Sequence, residues 1–418
     1  MTRSLPADSS AVHWSLHGLL ILIFLALCIS ANSVIKYPIF SKPVLALVLF
    51  CYLPLILWNF SANLRTALAT LTRPHSLLLL WVLFILSYSW SVIPSVTMNL
   101  ILTMSAFIVL ALFISICYKA EGFDRQLRTA IMLLLILVIL YALAVPSSIV
   151  SSAGALAFYK QKNNMGVFMG LSVVVLLSVR KRNWWHICFA LLACLFLVAS
   201  RSKTSITVVA VCYIALRLID WWINKYYVGV RRTNPLSWLY PTVLFGLAAL
   251  VIFRDQFLNF LWDNLTKTLL TGRGLLWLTE IQHIRSHSLL GIGPGTFWTS
   301  EEGRGAEISH TVLYMISPDF IQKLGAGDGS YIDLIASIGV LGLALFFYTV
   351  ADLYRGLIRN WDQPDSKLIF VLTTFVVVQA ITETTILSSG NLLWLIYLLC
   401  YFRVAGYTHV SPPLKKYQ

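Results

Sequence analysis

Charge is scarce in this sequence. Only 11% of its 418 residues are Asp, Glu, Lys or Arg, against 58% hydrophobic residues and a mean hydropathy of +0.80. A soluble domain carries roughly 25% charged residues, so the composition excludes an ordinary water-soluble fold and indicates a polytopic membrane protein. Negative charge is scarcer still: 17 Asp and Glu stand against 31 Lys and Arg, for a formal net charge of +14. No basic and aromatic nucleic-acid module accompanies that excess, so no nucleic-acid partner is read and anionic lipid headgroups are the expected counter-charge. The seven cysteines, Cys28, Cys51, Cys117, Cys188, Cys194, Cys212 and Cys400, lie in or beside apolar runs without zinc-site spacing and read as packing residues. There is no Gly-Lys-Ser/Thr phosphate loop. His283 and His287 sit four residues apart, but no third metal ligand is evident. Neither a metal nor a cofactor is expected.

What the chain has in abundance is apolar length. A helix crosses the hydrocarbon core with about 20 mainly apolar residues. Twelve windows qualify, at 14–33, 43–60, 76–94, 97–118, 128–148, 164–179, 184–200, 204–223, 236–253, 331–351, 367–385 and 389–405. The first lacks a convincing small-residue cleavage site before the next apolar run, so it reads as a resident helix rather than a signal peptide. Lys and Arg are retained in cytoplasmic loops. With the N-terminus inside, nineteen of the 31 fall in inner segments, which places both termini in the cytoplasm. The expected fold is therefore all-α, with about 12 transmembrane helices and one large, partly helical outer loop between helices 9 and 10. Residues 1–253 form helices 1–9, 254–330 the loop, and 331–418 helices 10–12 and a cytoplasmic tail, all as one integrated domain.

The loop is too varied in composition to be a mere linker. Its stretch "LTGRGLLWLTEIQHIRSHSLLGIGPGTFW" spaces Leu275, Leu276, Leu278, Ile281 and Ile284 as an amphipathic helix would, ending near His287. "GIGPGTF" then reads as a turn, without the flanking strand and helix of a dinucleotide site. Outer-side cations recur beside small or hydroxyl residues: Lys160 and Lys162 in "YKQKNNMG", Arg201 and Lys203 in "SRSKTS", Arg273 in "TGRG". Cations converging at a membrane surface suit a phosphate or diphosphate. Each also has a plainer reading. A lone outer cation can be an interfacial anchor with a snorkelling stem, Arg273 can cap or staple the loop helix, and Arg285 can pair with Glu280. Asp328 before Gly329 is a good turn pair, and His310 can be an ordinary loop histidine. Glu383 in an apolar window is functional by default unless it sits at the outer helix end.

Four of these segments, in this order, resemble the O-antigen ligase and polysaccharide polymerase superfamily. "KQKNNMGVFMG" (160–170), with Lys162 and Asn163, is similar to a Lys-Asn-x-x-Gly helix entry of exopolysaccharide polymerases, and "SRSKTS" (200–205) to a Ser-Arg-Thr-Ser segment. "TGRGLLW" with "HSLLGIGPGTF" (287–297) resembles the strongest signature, an Arg and Trp before a Gly-x-Gly turn. "GDGSYIDLIASIGVLGL" (327–343) resembles the final one. Beyond these four, "ITETTILSSGNLLW" (381–394) is similar to the Thr-Glu-Ser and Asn segment near the family's end. The similarity covers residues 160 to about 395; the first five windows carry little signal.

The resemblance implies twelve helices, a periplasmic loop between helices 9 and 10, a bacterial inner-membrane location with the active site facing the periplasm, and glycan transfer from undecaprenyl diphosphate. Arg273 is then the principal diphosphate ligand, with Arg201, Lys203 and Lys162 beside it. Fixed cations stabilise the leaving diphosphate without a metal. The family's last signature usually reads His-Asn-x-Tyr-Leu, where this chain has Asp328, Gly329, Ser330, Tyr331 and Ile332. The usual His helps deprotonate the acceptor hydroxyl in ligases. Its task here falls to Asp328, His310 or Glu383; an ordinary Asp, with a pKa of about 3.9, is a weaker base than His. The leading expectation is a polymerase acting on lipid-linked repeats. The runner-up is a ligase moving glycan onto lipid A-core, and a reading from another class is a lipid-linked glycan transporter. A transporter predicts charges or broken helices in related positions of two halves, and no convincing repeat is visible.

Overall fold

The structure is a computed structural model. It describes residues 75–117, 120–148, 159, 162–178, 183–226, 277, 280, 287–299, 329–388 and 391–407. Among these there is no strand. The principal helices are α1 (His75–Leu86), α2 (Pro94–Cys117), α3 (Ala120–Ala144), α4 (Lys162–Leu177), α5 (Trp184–Ala199), α6 (Lys203–Tyr226), α7 (Ser330–Arg359), α8 (Ser366–Gln379) and α9 (Leu392–Gly406). Each coincides with an apolar window. The windows at 14–33, 43–60 and 236–253, and most of the 254–330 loop, lie outside the described residues.

Four stretches are long and apolar enough to cross a membrane: Pro94–Ile116, Asp124–Ala144, Lys203–Ile223 and Ser330–Arg359. The chain is an α-helical membrane protein. Its lipid-facing surface is visible on α5 and α6, where Leu191, Leu195, Val198, Ile214, Leu218 and Trp221 are exposed. Contiguous apolar surface of this kind is a liability in water and ordinary in hydrocarbon. At the other extreme, α9 is apolar all round, which marks a helix enclosed by its neighbours. Every residue from Leu392 to Phe402 is buried. Its start is set by Asn391, whose side chain accepts from Leu393 N at 2.8 Å and so satisfies one of the amides a helix leaves unpaired. Likewise, α2 opens on Pro94, whose missing N–H costs nothing at that position.

Helix directions follow from close contacts. A Cβ at Gly166 would meet Ser202 and Ser205, and one at Gly170 would meet Val209 and Phe375. Thus α4 and α6 run parallel. Cys212 Sγ lies against Val371 O, so α8 runs antiparallel to both. The starts of α4 and α6 therefore share one end of the bundle with the end of α8, and Ser330 N, donating to Ala380 O at 3.0 Å, adds the start of α7.

Helix α7 is broken one-third of the way along. Ile338 (φ −130°, ψ 17°) and Gly339 (φ 74°, ψ −177°) leave helical geometry, the latter in a region essentially closed to residues with a Cβ. In a membrane domain, backbone groups freed by such a break must be satisfied internally. The Gly-rich segment does this. Ile292 N donates to Ala336 O and Gly293 N to Ser337 O, while Val340 N and Leu341 N donate to Ser288 O and Leu289 O. The approach is so close that a Cβ on Gly339 would lie 1.9 Å from Leu289 O. On its other side the same segment is fastened to the α1–α2 connection: Val92 N donates to Ile292 O, Trp90 Nε1 to Leu290 O, and Thr97 Oγ1 to Pro294 O. A Cβ on Gly293 (φ 105°) would meet Ser91 Oγ at 2.4 Å. "GIGPG" is a backbone clamp that repairs a broken helix.

Candidate functional site

Pro294 and Gly295 of the clamp and Ala336 and Ser337 just before the break line a cleft of about 210 Å³. Its polar lining comprises Glu280, Trp298, Asp333, Ser337, Thr384 and Ser388, and Phe84, Phe297 and Leu387 contribute to the apolar part. Trp298 follows the clamp directly, on the one-turn helix Thr296–Thr299. Its indole N–H is shared by two carboxylates, with Glu280 Oε1 at 2.5 Å and Asp333 Oδ1 at 3.2 Å. Asp333 stands one turn into α7, and its second oxygen accepts from Thr384 Oγ1 at 2.6 Å. Thr384 is held in turn by Asn391, whose amide donates to Thr384 O at 3.2 Å. Glu280 is fully buried, whereas Asp333 is half-buried on the cleft. The two carboxylates come from segments more than 50 residues apart in sequence and meet around one indole.

The sequence singled out neither residue for chemistry, having treated Glu280 as a partner for Arg285. Asp333 follows Tyr331 in the final signature, so its proximity to a site was readable, whereas its pairing with Glu280 was not.

The residues expected from sequence distribute as follows. Arg273, Asp328 and His310 lie outside the described residues. Their neighbours do meet: Trp277 of "TGRGLLW" packs on Gly329 of "GDGSYI", where a Cβ would come within 2.6 Å of Trp277 Nε1. Glu383 stands in the turn beyond α8, which ends at Gln379, and not within a helix. That turn is pinned by Ser330 Oγ, which donates to Glu383 O at 2.7 Å and receives Thr385 N and Ile386 N. Tyr331 donates to Val377 O at 2.6 Å and stacks on Phe347, joining α7 to α8.

Lys162, Arg201 and Lys203 are all exposed, at the starts of α4 and α6. Asn163 beside them is half-buried. Their two motifs are in contact through Gly166, Ser202 and Ser205. Arg201 adopts a left-handed φ of 53° in the turn between α5 and α6, a conformation that costs a side-chain-bearing residue about 1 kcal/mol or more and tends to persist at functional sites. Two buried amides stand at this end of the bundle: Asn164 Nδ2 and both polar atoms of Gln379 have no hydrogen-bond partner among the described residues. Gln379 is one turn outward from Phe375, as Gly166 is from Gly170, so the cation motifs and the cleft both adjoin the end of α8. Among the described residues no group of His, Cys, Asp and Glu could hold a metal.

No protein-family model matches the chain, and no curated protein matches it significantly.

Proposed function

We propose that the protein transfers a glycan from a polyprenyl diphosphate carrier to a sugar hydroxyl, as a polysaccharide polymerase at the outer face of a bacterial inner membrane. One observation carries this reading: the cleft pairs two carboxylates and hydroxyl side chains with an indole and a phenyl ring, at the membrane-protein end that also bears Lys162, Arg201 and Lys203. Carboxylates and hydroxyls match the donor and acceptor groups of a sugar, and the aromatic faces match its C–H surface. The cations match a lipid diphosphate, whose departure needs stabilisation of developing negative charge. The order of motifs that resembles the polymerase and ligase superfamily supports the same division between an electrophile side and an acceptor side.

The donor is undecaprenyl diphosphate-linked glycan, Arg273 with Arg201 and Lys203 holds the diphosphate, and the acceptor is a second glycan. The test uses the full chain in nanodiscs with lipid-linked glycan extracted from cells lacking the gene. Release of undecaprenyl diphosphate, lost on Arg273→Ala, is expected; no release from the wild-type protein sinks the transfer reading, and unchanged release from the variant sinks the Arg273 assignment. In the deletion strain, single repeats still attached to their acceptor identify a polymerase. Unattached long chains on the lipid carrier identify a ligase instead, with lipid A-core as its acceptor.

A further inference from the structure

We infer that Asp333 is the proton acceptor for the attacking sugar hydroxyl, held in position by Trp298 and Thr384, with Glu280 setting the orientation of Trp298. This inference rests on the transfer reading above and names the group that serves its acceptor side. Three features carry it. First, both carboxylates line the cleft, and Asp333 is the more exposed of the two, half-buried where Glu280 is fully buried. Second, both oxygens of Asp333 accept hydrogen bonds, from Trp298 Nε1 at 3.2 Å and Thr384 Oγ1 at 2.6 Å. Two such bonds fix a carboxylate's plane, and geometry is the first requirement of a general base. Third, the supports are themselves fixed. Glu280 Oε1 receives the same indole N–H at 2.5 Å, Asn391 holds the Thr384 backbone, and Trp298 follows directly on the clamp that is bonded to the α7 break.

The step balances without a further reactant. The acceptor hydroxyl oxygen forms a bond to the anomeric carbon of the donor as the bond from that carbon to the diphosphate oxygen breaks. The electron pair of the broken bond leaves with the lipid diphosphate. The hydroxyl proton passes to Asp333 and from there to water. A carboxylate acts as a base only in its ionised form.

Glu280 is a positioning residue in this scheme. Losing its charge leaves an oxygen for the indole N–H, so Glu280→Gln preserves the contact and Glu280→Ala removes it.

The experiment measures undecaprenyl diphosphate release across pH by the full chain in nanodiscs, with the extracted lipid-linked glycan as donor and acceptor. Asp333→Asn keeps the shape of the side chain and is expected to lower kcat by about 100-fold or more and to abolish the fall of the rate on the acid side. Asp333→Glu restores a carboxylate and part of the rate, with the acid-side fall present again. Thr384→Val leaves both carboxylates in place and is expected to lower kcat by about 10-fold, with KM little changed, the size of a lost orienting hydrogen bond. Glu280→Ala lowers kcat further than Glu280→Gln.

Wild-type release combined with full activity of Asp333→Asn overturns the assignment and leaves the transfer reading standing. So does an inactive Asp333→Asn whose residual rate keeps the acid-side fall, because the titrating base is then another group. Absence of release by the wild-type protein at every pH overturns the transfer reading itself. Asp333→Glu and Thr384→Val keep the outcome decisive if Asp333→Asn fails to fold.

Discussion

At the end of the bundle away from the cleft, carboxylates are met by cations and phenols. Asp365 accepts from Arg403 Nε at 2.8 Å and from the Tyr407 hydroxyl. Asp352 accepts from Tyr401 at 2.9 Å and Ser76 at 3.0 Å, and Asp220 from Lys367 and Trp361. These contacts tie α1, α6, α7, α8 and α9 together. At the cleft end an indole and a hydroxyl are among the donors to Glu280 and Asp333, and both residues line a cleft. The difference is one of setting: the far-end carboxylates cross-link helices, whereas Asp333 is half-buried on a cleft. The backbone follows the same division. The far end of α7 is continuous helix to Arg359, while the cleft end is broken at Gly339 and repaired by the clamp.

That contrast can be broken most severely at the clamp. Gly339→Val places a side chain where Leu289 O now sits, in a backbone conformation closed to it. A loss of about 4 kcal/mol is expected, at the severe end for single substitutions. It is read as a fall in the thermal midpoint of the purified protein in detergent. The local character of the damage shows in the far-end pairs, which should retain their protection from hydrogen exchange.

At the far end, Arg403→Ala leaves Asp365 buried without its cation. The two side chains are 12% and 3% exposed, and breaking a buried pair by removing one partner costs about 3 kcal/mol. Here stability should fall while turnover per folded molecule stays at the wild-type level. A variant with normal stability but reduced turnover would show that the far end takes part in the reaction.

The smallest effect is expected at Arg201. Arg201→Gly relieves the left-handed backbone, so stability holds or rises by up to about 1 kcal/mol. Turnover should nevertheless fall, because the guanidinium is removed from the proposed diphosphate side. Wild-type turnover in this variant would assign Arg201 a purely local role in the α5–α6 turn.

Much of the helical organisation was legible because hydrocarbon imposes length and apolarity on any helix that crosses it. The starts of α2 at Pro94 and α9 after Asn391 follow equally local rules. Boundaries shifted where a residue had a tertiary alternative to helix: α8 stops at Gln379, six residues before its apolar window ends, because Ser330 draws the following backbone into a turn. The break in α7 was invisible for a related reason. "ASIGVLGL" is apolar enough for a continuous helix, and only the arrival of the 288–293 backbone makes an interruption affordable.

Composition and spacing by themselves determined that this is an α-helical membrane protein, that the Gly-rich segment at 291–295 turns, and that cations stand in the segments that open α4 and α6. Those properties depend on solvent transfer and on residues near one another in the chain. Which carboxylates meet was decided by the tertiary structure alone. Glu280, Trp298, Asp333 and Thr384 converge because a clamp from one loop is seated in a broken helix and a turn from another is pinned to that helix's first residue. Contacts of that kind are set by packing across long sequence separations, and no local periodicity encodes them.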